Sequence, residues 1–179
     1  YFVTIPYRFK QLNLEEVQRD NKEVRRSLRS FYNYPLKIWF FCEVHKDPDS
    51  RHYGGFHRHL LVEDISPERW RNPSKRMERF LREHAPEALF TALSGGIPTD
   101  TQKIALLMRV IRLSPSVPNG LLGLRVDPIH NLNGVLGYCL KQAGKDLSIA
   151  DVVDVAASDM DLTSTDWNGA LTRQEAIPC

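Results

Sequence analysis

One short stretch decides how the middle of this chain is organised. Residues 56–62 read Phe56-His57-Arg58-His59-Leu60-Leu61-Val62. Two histidines separated by one residue lead directly into an apolar run that is typical of a β-strand. Because side chains alternate between faces along a strand, His57 and His59 point the same way, with Cα atoms about 6–7 Å apart. Two imidazoles on one face of a sheet form half of a divalent metal site.

A second strand is predicted just upstream, from Leu36 to His45. The intervening residues include Asp47-Pro48-Asp49-Ser50 and Gly54-Gly55, so the two strands are predicted to pair as a hairpin. Alternation divides the upstream strand into two faces. Ile38, Phe40, Cys42 and Val44 form an apolar face that should contact helices, and Trp39, Phe41, Glu43 and His45 form the other.

The hairpin suggests a third metal ligand. Folding back brings Glu43 beside His57 and His59, so these three side chains are the predicted metal ligands. His45 and Glu63 lie on matching faces and compete with Glu43 for the third position. Two neutral imidazoles and one carboxylate suit Mn²⁺ and leave coordination positions open, and Mg²⁺ is the alternative, although it prefers more oxygen ligands.

The other elements alternate around this hairpin. Strands are predicted for Tyr1–Ile5, which Pro6 ends, and for Leu121–Val126. Helices are predicted for residues 14–32, for the segment from Ser66 to the break at Asn72-Pro73, for Ser74 to about Leu93, for a segment that Asp100 caps, and for Leu132–Ala143. The order predicts an α+β fold, with a central antiparallel sheet, helices packed on one face, and a mainly helical segment around residues 66–113.

Composition bounds the protein class. The chain has 179 residues, of which 42% are hydrophobic and 26% charged, as expected for one globular domain. No apolar run approaches the roughly 20 residues of a membrane span, so no membrane partner is expected. The three cysteines suggest reduced thiols in an intracellular compartment. Residues 146–179 carry a net charge of −6 and residues 1–145 one of +8, and a basic body permits phosphate binding.

The last predicted helix carries a second chemical pattern. Its buried stripe is predicted to be Leu132, Val135, Leu136, Cys139 and Leu140. Tyr138 and Lys141 fall away from that stripe and lie one turn apart on the surface. A tyrosine oxygen can attack phosphorus and form a covalent phosphotyrosine. A free phenol ionises near pH 10, so a metal ion on the phosphate and an ammonium such as Lys141 would both assist the attack.

Three segments in this order resemble the HUH endonuclease superfamily, in particular the rolling-circle replication initiator (Rep) proteins of plasmids and viruses. Phe2-Val3-Thr4-Ile5-Pro6 resembles the first motif, His57-Arg58-His59-Leu60-Leu61 the second, and Tyr138-Cys139-Leu140-Lys141 the Tyr-x-x-Lys third motif. Cys42-Glu43-Val44-His45 resembles the strand that supplies the acidic ligand, which favours Glu43. Arg58 departs from the apolar residue usual between the histidines, and we expect it to snorkel from the opposite face.

The resemblance implies a fold, an activity and partners. The fold is a ferredoxin-like sheet over residues 1–145, followed by an acidic tail or linker at 146–179 that leads to a further domain in larger relatives. Relative to this family, the segment around residues 66–113 is a helical insertion. The activity is nicking of single-stranded origin DNA through Tyr138, with Lys141 assisting, which leaves a 5′-phosphotyrosine and a free 3′-hydroxyl. The implied partners are single-stranded or hairpin origin DNA and a helicase domain or host replication proteins. The implied location is the cytoplasm of a prokaryotic host, or the nucleus for a eukaryotic virus.

Further residues are predicted to bind DNA. Trp39 is a candidate on the sheet, and Arg76 and Arg79 are candidates on a basic helix, which either binds the DNA backbone or is simply a solvated face. A transposase or relaxase would use the same chemistry on other DNA ends.

Two other classes stay open. One is a metal enzyme of the cupin or histidine-triad type, although Arg51, Leu61 and Trp70 break those patterns. The other is a non-catalytic single-strand-binding module that stacks bases on Trp39 and Phe41.

Overall fold

A four-stranded sheet and six helices make up the part of the chain that the structure describes. The structure is a computed structural model and describes residues 1–6, 13–46, 48–49, 54–117, 123–141, 152–154 and 158. In chain order the elements are β1 (Phe2–Pro6), α1 (Leu14–Tyr32), β2 (Ile38–Val44), β3 (Phe56–Val62), α2 (Pro67–Arg71), α3 (Lys75–His84), α4 (Pro86–Leu93), α5 (Asp100–Arg112), β4 (Arg125–Asp127) and α6 (Leu132–Cys139). The predicted α+β class and the predicted hairpin of β2 and β3 are confirmed.

The sheet is antiparallel throughout, with strand order β2-β3-β1-β4. The register pairs Glu43 with His57 and Phe41 with His59 across β2 and β3. On the other side of β3, Thr4 of β1 pairs with His59. Because directly paired residues share a face, these side chains line one surface of the sheet. We call it the site face.

The opposite face, which we call the inner face, contacts the helices. Its strand residues include Val3, Ile5, Ile38, Phe40 and Leu60, which are fully buried with side chains of α1 to α5. Helix α1 begins where Asn13 and Glu16 form a capping box and ends at Asn33, which has a positive φ of 49°. The predicted apolar face of β2 and its contact with helices are confirmed.

Two predicted helices are wrong in their extent. The last one, predicted for Leu132–Ala143, ends at Cys139 as α6, with Leu140 as its C-cap. The helix expected from Ser74 to about Leu93 is divided into α3 and α4, because Pro86 has no N–H to continue the ladder and disfavours helical geometry at Ala85. Pro86 instead starts α4. The N-cap of α5 is Thr99, which forms a capping box with Gln102, and not Asp100.

The prediction that the helices pack on one face is wrong for α6. This helix covers the site face, where Leu136, Cys139 and Leu140 are buried against Phe41 and Leu61. The physical reason is that these two outward-facing sheet residues are apolar and need cover. Leu132, which helical spacing predicts to be buried, is 45% exposed.

Arg58 lies on the inner face, as predicted, but it does not reach solvent. Its side chain is fully buried in the region of Cys42, its partner across β2 and β3. Burial raises the pKa of Asp20 in α1, and the positive charge of Arg58 partly offsets that rise. Arg58 is therefore an internal charge that interacts with α1.

The described part of the acidic tail packs along the outer edge of β2. Val153 forms an antiparallel bridge with Phe41, and the Asp154 N–H donates to the Phe40 carbonyl over 3.1 Å. Asn21 Nδ2 of α1 donates to Asp154 Oδ2 over 2.9 Å in a buried contact. Val152 and Val153 are fully buried against α6. These residues cover an otherwise unpaired strand edge.

Candidate functional site

Glu43 is the centre of a polar cluster on the site face. One carboxylate oxygen, Oε2, lies 2.9 Å from Nε2 of His59 and accepts a hydrogen bond from the Tyr138 hydroxyl over 3.3 Å. The other, Oε1, lies 2.5 Å from the Lys141 ammonium. Glu43, itself a predicted metal ligand, thus contacts the predicted ligand His59 and both predicted catalytic residues, Tyr138 and Lys141.

The electrostatics of the cluster favour the charged form of Glu43. Burial by itself would raise the pKa of Glu43, but hydrogen bonds from His59 and Lys141, together with the Lys141 charge, outweigh it and lower the pKa to about 2. Burial likewise opposes ionisation of Lys141, yet its contact with Glu43 raises the pKa of Lys141 overall. At neutral pH this is therefore a charged pair.

The His59 ring is held on several sides. Only 2% of His59 is exposed. The Phe2 ring stacks on it with centroids 5.2 Å apart, and the Tyr138 ring meets it edge-on at 5.4 Å. The Thr4 hydroxyl lies 3.2 Å from Nδ1 on the side away from Glu43. Both ring nitrogens therefore have polar partners.

His57 lies on the same face but is turned toward His45. The His45 and His57 rings stack with centroids 4.9 Å apart, whereas the His57 and His59 rings are 6.5 Å apart. Glu63 is bonded elsewhere, since its Oε2 accepts from the Lys37 N–H over 3.1 Å. Among the alternatives for the third ligand, Glu43 is the one in contact with His59.

The donor types suit a divalent cation, although the side chains are not gathered around one point. Within the described ranges, no three His, Cys, Asp or Glu side chains are close enough to hold an ion as they stand. Glu43 and His59 converge, and His57 faces Glu43 in the strand register. A carboxylate and imidazoles are ligands that Mn²⁺ accepts. The residue types therefore fit such an ion, while the His57 ring stacks on His45 in this structure.

Helix α6 and the turn that follows it bring Tyr138 and Lys141 over the sheet. Asn131 caps its first turn by accepting from the Gly134 N–H. Tyr138 is 45% exposed, and the Lys141 ammonium lies 4.0 Å from the centre of the Tyr138 ring. The adjacent Cys139 faces the apolar side, where burial, aided by the Glu43 charge, raises the pKa of its thiol to about 12. The predicted adjacency of Tyr138 and Lys141 is confirmed.

The predicted DNA-binding residues are not gathered at this cluster. Trp39 lies on the site face farther along the sheet, where it lines a hollow of about 480 Å³ with Leu61 and Ile129. Arg76 and Arg79 are exposed on α3, whose buried residues pack into the inner-face core. They therefore project from the helix layer on the other side of the sheet.

Two residues of the site were missed at the sequence level. Phe2 and Thr4 both contact the His59 ring. Alternation in the first strand places them on a common face, and both lie in the segment that resembles the first HUH motif, but neither signal assigns them to the site. Which strand neighbours β1, and in what register, depends on the sheet topology.

Comparison of the chain with protein-family models, with curated proteins and with solved structures finds no significant match. Over the residues that the structure describes, no helix is both long and apolar enough to cross a lipid bilayer. The Glu43 cluster is consequently the feature of the chain that bears on its function.

Proposed function

We propose that this chain is a metal-dependent single-stranded DNA endonuclease and strand transferase of the HUH type. The observation that carries the proposal is the meeting of the Tyr138 hydroxyl and the Lys141 ammonium at Glu43, beside His59. Glu43 and Tyr138 are 95 residues apart in the sequence. A nucleophile, a cation and two metal-binding side chains are the parts that tyrosine-mediated nicking needs.

The proposed fold is the ferredoxin-like sheet of that superfamily. The antiparallel order β2-β3-β1-β4 is the strand order of a ferredoxin-like fold, which supports the assignment. Helices α2 to α5 lie between β3 and β4 and enlarge the connection there.

Each side chain has a role that its environment supports. The Tyr138 oxygen forms a bond to phosphorus, and its proton passes to solvent water, which reaches this 45% exposed side chain. The bond from phosphorus to the 3′-oxygen of the preceding nucleotide breaks, and that oxygen takes up a proton from water. The products are a 5′-phosphotyrosine and a free 3′-hydroxyl, as at a replication origin. Lys141 offsets the phosphate charge. Because its pKa is about 2, Glu43 suits a charged ligand and not a proton acceptor at neutral pH.

A divalent cation, Mn²⁺ or Mg²⁺, is part of the proposal. Glu43, His59 and His57 would hold it, and when bound it supplies electrophilic activation of the scissile phosphate. A non-catalytic module that stacks bases on Trp39 and Phe41 is less well supported, since Phe41 is fully buried beneath α6 and the tail.

The test is the Tyr138→Phe variant. Wild-type protein is incubated with Mn²⁺ and a labelled pool of single-stranded oligonucleotides that includes hairpins from the native replicon. Covalent adducts are then measured by denaturing gel and intact mass. We expect wild-type adducts and none with Tyr138→Phe, because the ring is kept and only the attacking oxygen is lost.

Two controls sharpen that test. Tyr34 stacks under Arg69 away from the site, and Tyr34→Phe keeps that ring, so it should leave adduct formation unchanged. A chelator should abolish the adducts, and added Mn²⁺ should restore them. Adducts that persist in Tyr138→Phe would overturn the assignment of the nucleophile.

A further inference from the structure

The first strand supplies a polar contact to the most buried histidine of the site. Thr4 pairs with His59 across β1 and β3, and its hydroxyl oxygen lies 3.2 Å from Nδ1. His59 is 2% exposed, so bulk water is a poor substitute for that partner. On the opposite side of the ring, Nε2 lies 2.9 Å from Glu43.

The two contacts constrain where the imidazole proton lies. A neutral imidazole has one donor nitrogen and one acceptor nitrogen. An ionised carboxylate such as Glu43 only accepts hydrogen bonds, and its Oε2 lies 2.9 Å from Nε2. With a neutral ring and an ionised Glu43, Nε2–H donates to Glu43 and Nδ1 accepts a hydrogen bond from Thr4.

A cation held at Nε2 would reverse these roles. It would need the lone pair of that nitrogen, so the proton of a neutral ring would lie on Nδ1. A hydroxyl can donate or accept by rotating about its C–O bond, so Thr4 can serve both arrangements in place. A methyl group can serve neither, and it would leave a buried ring nitrogen without a partner.

We propose that Thr4 is a positioning residue for His59: its hydroxyl holds the ring with Nε2 toward Glu43 and accepts from Nδ1–H when Nε2 binds a divalent cation. This inference rests on the proposed function for the identity of the ligand, a Mn²⁺-like ion. It gives a physical role to one residue of the first strand. Phe2, stacked on the same ring, supports the same orientation from an adjacent position.

The test compares Thr4→Val, which keeps the branched shape and the strand propensity, with Thr4→Ser, which keeps the hydroxyl. The probe is Mn²⁺ alone, titrated into the full chain and followed by the paramagnetic signal of the free ion. We expect Thr4→Val to weaken Mn²⁺ binding by about 10- to 100-fold, the usual effect of removing the outer partner of a metal-binding histidine. Thr4→Ser should stay within about threefold of wild type.

A second readout is independent of the metal and of DNA. The ¹⁵N chemical shift of His59 Nδ1 in metal-free protein reports the hydrogen bond that it accepts. We expect that shift to move in Thr4→Val and to return in Thr4→Ser. His57, whose ring contacts His45, gives an internal reference in the same spectrum. If Thr4→Val fails to fold, Thr4→Ala is the second hydroxyl-free variant.

The possible outcomes separate this inference from the proposed function. The role of Thr4 would be overturned if Thr4→Val left both the Mn²⁺ affinity and the Nδ1 chemical shift unchanged. It would also be overturned if Thr4→Ser lost as much Mn²⁺ affinity as Thr4→Val. If the wild-type chain does not bind Mn²⁺, the proposal that Glu43, His57 and His59 hold a divalent cation would be overturned. A Thr4-dependent Mn²⁺ affinity without any DNA adduct would overturn the nicking proposal and leave the role of Thr4 intact.

Discussion

Glu43 concentrates the charge of the candidate site. Its side chain is only 15% exposed, and it contacts an imidazole, an ammonium and a phenol. Removing it would leave Lys141 without its counter-charge and His59 without its Nε2 partner. One carboxylate thus couples the sheet to α6, both structurally and electrostatically.

The pH dependence of stability should reveal that coupling in metal-free protein. Because folding lowers the pKa of Glu43 from 4.5 to about 2, its stabilisation is fully present above pH 4.5 and is lost as the pH falls toward 2. Glu43→Gln should lower the free energy of unfolding at pH 7 by about 1–2 kcal/mol, a value that allows for solvent screening around the half-exposed Lys141.

Urea unfolding of both proteins between pH 7 and pH 2, with a chelator present, measures this difference. The difference in the free energy of unfolding between the wild type and Glu43→Gln should become smaller as the pH falls from 4.5 to 2. A difference that stays constant over that range would show that the ionised carboxylate contributes nothing to folding. Glu63→Gln is the matched control, because Glu63 lies outside the Glu43 cluster.

At the scale of elements, packing against the sheet and the tail holds α6 in place. Leu136, Cys139 and Leu140 contact the sheet at Phe41, and Val152 and Val153 of the tail complete the same cluster. The helix is only eight residues long and contains two glycines, so its intrinsic stability is low. Tertiary contacts therefore fix the positions of Tyr138 and Lys141.

Val153→Ala tests whether the tail supports the helix. Val153 is fully buried, so removing two methyl groups should lower the free energy of unfolding by about 1–3 kcal/mol. Adduct formation through Tyr138 should fall as well, because α6 loses part of its support. Leu93→Ala is the control, since Leu93 is 61% exposed, and it should change stability by less than about 0.5 kcal/mol. A Val153→Ala protein as stable as wild type would contradict the expected role of the tail.

At the scale of the molecule, the sheet separates two chemical layers. The Glu43 cluster occupies the site face, and the basic helix α3 lies in the layer against the inner face. A strand of DNA that contacts both would have to wrap around an edge of the sheet. A short oligonucleotide should therefore reach the Glu43 cluster without contacting α3.

The double variant Arg76→Ala/Arg79→Ala should leave adduct formation on a short oligonucleotide within about twofold of wild type. Lys141→Ala is the comparison within the site and should slow the reaction by about 100-fold. A slowing of tenfold or more in the double variant would contradict the expected separation. The salt dependence of binding tests the predicted DNA contacts themselves, since loss of two phosphate contacts lowers the slope of log affinity against log salt by about 1.4.

The local pattern of the sequence predicts most of the elements. The bounds of α1 match because its caps and its apolar period are local signals. The faces of β2 follow from alternation alone. The division at Pro86 is a local signal as well, because a proline disfavours helical geometry at the residue that precedes it.

By itself, the sequence determined which residues share a face of a strand or a helix, because those periodicities belong to the backbone. It thereby predicted that His57 and His59 share a face and that Tyr138 neighbours Lys141. Only the tertiary structure decided that β1 lies beside β3, which brings Thr4 to His59, and that α6 covers the site face, which brings Tyr138 to Glu43. The physical reason is that strand order and register depend on burying distant apolar surfaces together, and no local pattern encodes which surfaces will meet.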